Sequence, residues 1–204
     1  MTDQPPWDKA AEVRPGWQSV SDYVAFQNLW IRVESHDVIA PTGHPAHYGL
    51  VRFANRAIAV IPVFDDGTVS LVGQARFAVG AWSWELPEGG APLGEDPLDG
   101  AKRELGEETG LIAATWQEIL SFDISNSVTD ERGVCFLATG LTPGPKAPDE
   151  TERFEYARIP FKDVLQAVIK GQIRDLLTVV SVLRVHHMAV TGEISSPLRD
   201  KLLA

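Results

Sequence analysis

Residues 86–111, LPEGGAPLGEDPLDGAKRELGEETGL, restrict the chain more than any other stretch. Asp96 followed by Pro97 predicts a helix start: a side-chain oxygen caps free N–H groups, and proline gives up no donor that the first turn uses. Gly110 predicts the stop, because helices commonly close on a residue in the left-handed region. The helix is therefore expected over residues 97–109. At 100° per residue, Leu98, Ala101 and Leu105 form one stripe for the core, while Glu104, Glu107 and Glu108 crowd into an arc of about 100°. Like charges at i,i+3 and i,i+4 repel, and Gly100 and Gly106 each cost the helix about 1 kcal/mol against alanine. Helix stability alone does not account for such a sequence. Arg103 offsets one of the charges, and a cation is the natural source of the rest. Clustered carboxylates ordinarily mark a solvated face. Mg²⁺, however, is held by a few carboxylates together with substrate phosphates, so the residues flanking the helix decide.

The whole chain bounds the alternatives. Its 204 residues suffice for one domain with extensions and a substantial core. A formal charge of −10 argues against a nucleic-acid partner, whose backbone is bound by clustered Lys and Arg. It leaves room for a small phosphorylated substrate, since a bound metal inverts the local field. Cys135 is the single cysteine and lies in an apolar run, so it reads as a small core residue in a reducing compartment. No apolar run approaches the ~18 residues of a membrane span, and the N-terminus has no basic region followed by an apolar one. A cytoplasmic protein with no membrane partner is expected.

Residues 1–16 are polar and proline-bearing and read as a flexible arm. Residues 17–54 alternate in β fashion around the turn Pro41-Thr42-Gly43, which predicts a hairpin or small sheet ahead of the main domain. His36, His44 and His47 fall in this part at loop spacing that does not suit zinc. Residues 56–64, RAIAVIPVF, read as a central strand buried on both faces. Asp65-Asp66-Gly67 is expected to turn it into a hairpin with residues 69–72. A strand ending in Trp82-Ser83-Trp84-Glu85-Leu86 delivers residues 87–90 to the helix. Strands are expected at 115–122, 133–141 and 155–160, then an amphipathic helix at 161–169 and an apolar one from 172 to about 187, closed by His186 and His187. The Pro- and acid-rich segment 142–153 reads as a flap over a site.

Counting from Gly89, five residues lead to Glu95 and seven more to Arg103-Glu104, followed by Leu105, Glu107-Glu108, Gly110 and Leu111. This resembles the Nudix box, G-x5-E-x7-R-E-U-x-E-E-x-G-U with U aliphatic, at every fixed position. Chance would produce it on the order of once in a million chains of this size. The resemblance implies an α/β fold, an α/β/α sandwich around a mixed β-sheet with an N-terminal β-hairpin extension. The implied organisation is an arm (1–16), a β extension that can serve dimerisation (17–54), a Nudix hydrolase domain (55–190) and a C-terminal tail (191–204). The outer parts resemble the ADP-ribose pyrophosphatase and nucleotide-sugar branch.

That branch implies hydrolysis of a pyrophosphate bond in a nucleoside diphosphate linked to a sugar, ADP-ribose giving AMP and ribose 5-phosphate, by a homodimer. The implied cofactor is Mg²⁺, with Mn²⁺ as a substitute. Glu104 and Glu108 are the expected metal ligands, with Glu107 sharing a further ion and the main-chain carbonyl of Glu88 completing the set. Glu107 and Arg103 also belong to the expected catalytic group, Arg103 together with Glu95 holding the loop against the helix. The general base is expected on the late acidic loop, at Glu152 or Glu150. Arg76 is the leading candidate for substrate phosphate or ribose. Arg52 and Arg56 are further candidates, and Trp30 is a candidate to stack the base. Residues 123–132 lack the proline that ADP-ribose members often carry there, which leaves GDP-mannose and ADP-glucose as alternative substrates and a non-catalytic ligand sensor as an alternative role.

Overall fold

The computed structural model describes residues 16–145 and 154–204, and the chain divides into one unit up to Arg52 and another from Phe53. The expected arm, save Gly16, and residues 146–153 of the expected flap lie outside the described residues.

In the first unit, β1 (Gln18–Gln27), β2 (Ile31–Ile39) and β3 (Pro45–Phe53) form a three-stranded sheet in that order. Asn28 closes the first turn, its Oδ1 accepting the N–H groups of Trp30 and Ile31 at 2.8 Å each. Gly43, at φ 85°, closes the second, where a side chain would be strained. β1 is exposed along its whole length, whereas Glu34 and Val38 of β2 are buried.

The second unit begins with β4 (Asn55–Pro62), β5 (Thr68–Arg76), β6 (Ala81–Glu85) and β7 (Glu88–Pro92), followed by α1 (Pro97–Thr109). It continues with β8 (Leu111–Asp123), β9 (Arg132–Pro143), β10 (Glu155–Pro160), α2 (Phe161–Ile169), α3 (Leu176–Thr191) and α4 (Leu198–Leu203). Its organising sheet has the order β7-β4-β9-β8 and is mixed: β4 and β9 run parallel and the outer pairs antiparallel. Successive side chains of a strand face opposite ways, and the two central strands bury both sets. Ile58, Val60, Val134, Phe136 and Ala138 pack with Ala101 and Leu105 of α1. Ala59, Ile61, Cys135 and Leu137 pack with Val164 of α2 and Val182 and Val185 of α3. Helices cover both faces, giving the α/β/α arrangement. A Leu105→Ala cavity in this dry stripe would cost about 2–5 kcal/mol.

The structure departs from the sequence expectations at four places. Asp65-Asp66-Gly67 does turn the chain, with Gly67 at φ 83°, but β4 and β5 form no ladder: the turn is closed by the isolated bridge Val63–Val69 and the Phe64 N–H bond to Thr68 O. β5 then joins a second sheet, β10-β5-β6. Residues 88–92 form a strand although they begin Glu-Gly-Gly; their main chain pairs with β4 and requires no side chain to do so. The apolar helix starts at Leu176 and ends at Thr191, four residues later at each end than expected. Asp175 caps it by accepting the Thr178 N–H at 2.7 Å, and Gly192, at φ 82°, terminates it, so His186 and His187 lie inside the helix and do not close it. The expected C-terminal tail contains α4, whose Leu202 is buried in the core beneath α2 and α3. No helix among the described residues is long and apolar enough to cross a membrane.

Candidate active site

The site is built where α1 lies along β7. Asp96 Oδ1 accepts the Leu98 N–H at 2.8 Å and Pro97 opens the helix. At the other end Gly110, at φ 67°, closes it by donating its N–H to Gly106 O. Ala101 and Leu105 are fully buried, and this fixes the rotation of the helix about its axis. Glu104, Glu107 and Glu108 are thereby brought beside the glycine strand. Glu104 is buried, 9% exposed. Glu108 Oε2 accepts the Glu88 N–H at 3.1 Å. A Cβ on Gly89 would collide with the Glu104 carboxylate, so glycine here is the room the carboxylate occupies.

Arg103 is the cation of this group. Its Nη1 donates to Glu104 Oε1 at 2.7 Å and Glu107 Oε2 at 3.1 Å, while Nη2 donates to Gly90 O at 2.9 Å and lies 3.7 Å from Glu95 Oε2. One guanidinium thus ties the helix to the strand and to the loop between them. It meets carboxylates that outnumber it, all with oxygen donors, as a hard divalent cation requires.

The opposite face of β7 carries a different cluster. Strand alternation sends the Glu88 side chain away from α1, towards Asp175 at the start of α3 and Glu85 at the end of β6. Arg76, at the end of β5, reaches into it: Nη2 donates to Glu85 Oε2 at 2.6 Å and Glu88 Oε1 at 2.5 Å. Burial works against the Arg76 charge, but hydrogen bonds from its guanidinium to Glu85 and the fields of Glu88, Glu85 and Asp175 outweigh it, so its pKa is raised. Burial and the neighbouring Asp175 and Glu85 charges push the Glu88 carboxyl well above the usual carboxylate range, against the opposing pull of Arg76. These residues line a cleft of about 770 Å³ together with Trp82, Gln172 and Arg174.

The structure therefore joins Arg103, Glu104, Glu107 and Glu108 with the Glu88 main chain on one side of β7, and sets Arg76 on the other, tied to the Glu85 and Glu88 side chains. Arg56 projects from β4 on the α1 face, opposite Ala91, and joins none of the ion pairs among the described residues. Arg52 and Trp30 belong to the first unit. Arg52 Nε donates to the buried Glu34 Oε2 at 3.1 Å, and Trp30 is 65% exposed beside the β1–β2 turn. Glu34 is pushed up by burial but pulled down further by hydrogen bonds from His36 and Arg52. Glu150 and Glu152 lie outside the described residues. Sequence reasoning missed Glu85 and Asp175. Glu85 stands four residues before the box and pairs by register with Val72 of β5, whereas nothing in the sequence around Asp175 marks it beyond its helix-capping position.

A sequence model of the NUDIX domain matches residues 54–178. The chain is 35% identical over 144 residues to an ADP-ribose pyrophosphatase of Mycobacterium tuberculosis, covering 69% of each chain. It is 30% identical over 159 residues to a methanol dehydrogenase activator of Bacillus methanolicus, covering 77% of this chain and 85% of that one. A solved structure described as an ADP compounds hydrolase superposes with a TM-score of 0.80 at 18% identity, over 90% of this chain and 100% of its own. The last likeness concerns the fold.

Proposed function

The chain belongs to the Nudix family and is a Nudix pyrophosphohydrolase; from that premise we propose that it cuts the pyrophosphate bond of a nucleoside diphosphate joined to a sugar. ADP-ribose is the leading substrate, with AMP and ribose 5-phosphate as products. The observation that carries this reading is the set of α1 carboxylates pressed against a strand whose glycine leaves them room. The ADP-ribose pyrophosphatase named among the relatives supports the choice of substrate.

Mg²⁺ is the proposed cofactor, replaceable by Mn²⁺. Glu104 and Glu108 would be its main ligands, with Glu107 and the Glu88 carbonyl completing the set. When bound, such an ion neutralises charge on phosphate oxygens and lowers the pKa of a water molecule. Arg103 holds Glu104 and Glu107 in place through its fork of donors and fastens β7 through Gly90 O. Glu152, or else Glu150, is proposed to orient the attacking water. Arg76 lines the cleft behind β7 and is proposed to contact the ribose or phosphate portion of the substrate, with Arg56, Arg52 and Trp30 as further binding groups. A homodimer is proposed through the first unit, because Val20, Tyr23, Val24 and Phe26 are all exposed on β1. The cytoplasm suits its lone cysteine.

The test is a phosphate-release screen of the purified protein against ADP-ribose, GDP-mannose, ADP-glucose and nucleoside triphosphates, with and without Mg²⁺. Mg²⁺-dependent release of AMP from ADP-ribose, abolished by Glu108→Gln with the fold intact, is the expected result. Preference for GDP-mannose or ADP-glucose would replace the substrate and keep the metal group. Full activity of Glu108→Gln would overturn the assignment of the carboxylates.

A further inference from the structure

Behind β7, one carboxylate oxygen from each of Glu85, Glu88 and Asp175 lies within 4.8 Å of the others. Oxygens on opposite sides of a hard cation are separated by about 4.2 Å for Mg²⁺ and about 4.8 Å for Ca²⁺, twice the metal–oxygen distance. The cluster therefore has the span of a divalent coordination sphere.

Its charges do not balance among themselves. Arg76 gives its Nε to both Glu85 oxygens at 3.0 Å, in addition to the two bonds of Nη2. Gln74 Nε2 adds a bond to Glu85 Oε2 at 3.3 Å, and Asp175 Oδ2 is used by the Thr178 N–H. Arg174 lines the same cleft, but no ion pair among the described residues joins it to the three carboxylates. One guanidinium thus faces three carboxylates.

An independent observation singles out the atom that lacks a partner. The Glu88 side chain is nine-tenths buried, at 10% exposure, and its Oε2 is closed off from solvent with no hydrogen-bond partner. Asp175, the neighbour that the Glu88 carboxyl bonds, is itself a carboxylate, so a contact between the two needs a proton or a cation. Leaving a buried acceptor unmatched is costly, the more so when it carries charge. A cation held by the three carboxylates removes that cost.

We propose that Glu85, Glu88 and Asp175 bind a divalent cation of the Mg²⁺–Ca²⁺ class, at a site separated from Glu104 and Glu108 by the β7 backbone. Glu88 takes part on both sides of the strand: its side chain belongs to this site and its N–H holds Glu108. An ion here braces from behind the segment against which the α1 carboxylates rest. The site does not depend on which pyrophosphate is cut, and its readout is an ion count rather than turnover.

The experiment measures Mn²⁺ binding to the full, substrate-free chain by the electron paramagnetic resonance signal of free Mn²⁺. A Glu104→Gln/Glu108→Gln protein, which lacks the two main carboxylate ligands proposed on α1, is expected to retain a saturable Mn²⁺ ion. Adding Glu88→Gln, which keeps side-chain volume, or Asp175→Asn, which keeps a capping acceptor, is expected to remove it. Ca²⁺ should raise the melting temperature of the double variant but not of either triple variant, since a ligand stabilises only a state that binds it; circular dichroism checks that each is folded. Absence of saturable Mn²⁺ binding in the folded double variant would overturn the proposal. So would an ion count that Asp175→Asn leaves unchanged.

Discussion

Replacing Gly89 with alanine tests the site at its tightest point. The added Cβ would fall on the carboxylate carbon and both oxygens of Glu104, well inside the 3.0 Å that real Cβ atoms keep. Ordinary contact begins near 3.4 Å, so the carboxylate must retreat by about 1 Å. The obstructing group is the end of a flexible side chain, which makes the change cheap for the fold, at or below the ~1–3 kcal/mol of core overpacking. For a domain of this size 1 kcal/mol moves the melting temperature by about 2–4 °C. Function is affected far more, because a misplacement of about 1 Å costs about 10²-fold in rate. Steady-state hydrolysis of ADP-ribose over a range of Mg²⁺ concentrations should show a fall in kcat/KM of about 10²-fold and a higher Mg²⁺ requirement, with melting shifted by only a few degrees. If Gly89→Ala kept its rate within threefold at low Mg²⁺, the packing of Glu104 against β7 would have no bearing on catalysis.

Three other changes probe different parts of the molecule. Gly106→Ala has open space around its Cβ and a helical position, so it should stabilise the protein by about 0.5–1 kcal/mol in urea unfolding and leave turnover within twofold. Thr178→Val removes the hydroxyl that accepts the buried Leu86 N–H at 2.9 Å; the stranded donor should cost about 1–3 kcal/mol, seen as a lower urea midpoint at constant slope. Burial pushes the Cys135 thiol up from 9.0 to about 11. The unfolded chain then loses its thiol proton first as pH rises, so this group's contribution to stability is whole below pH 9 and declines through pH 11. At 1.36 kcal/mol per unit, Cys135→Ala should lose ~3 kcal/mol less than the parent over that window; parallel alkaline unfolding curves for the two proteins would refute the assignment.

The legible features of the sequence were those whose causes are local. Asp96, Pro97 and Gly110 act within a turn of the helix they bound, and the limits of α1 follow from them. A continuous apolar run over residues 56–64 marks a strand covered on both faces, and residues 58–62 are indeed buried one after another. Spacing along one helix brings Glu104, Glu107 and Glu108 together whatever surrounds them. Where distant parts meet, no local signal exists. β5 leaves β4 because pairing with β6 and β10 offers it a longer ladder than the hairpin does. Gly89 and Gly90 become strand because β4 supplies partners for their main chain.

By itself the sequence determined the acidic helix, its caps and the order of its carboxylates, since propensity, capping and periodicity operate over a few residues. Only the tertiary structure decided what those carboxylates rest against and what lies behind them. Asp175 reaches Glu88 across 87 positions of chain because burying α3 against the sheet sets its first turn at the far face of β7. The free energy of that placement resides in the apolar side chains of two helices and a sheet, and no short stretch of sequence contains it.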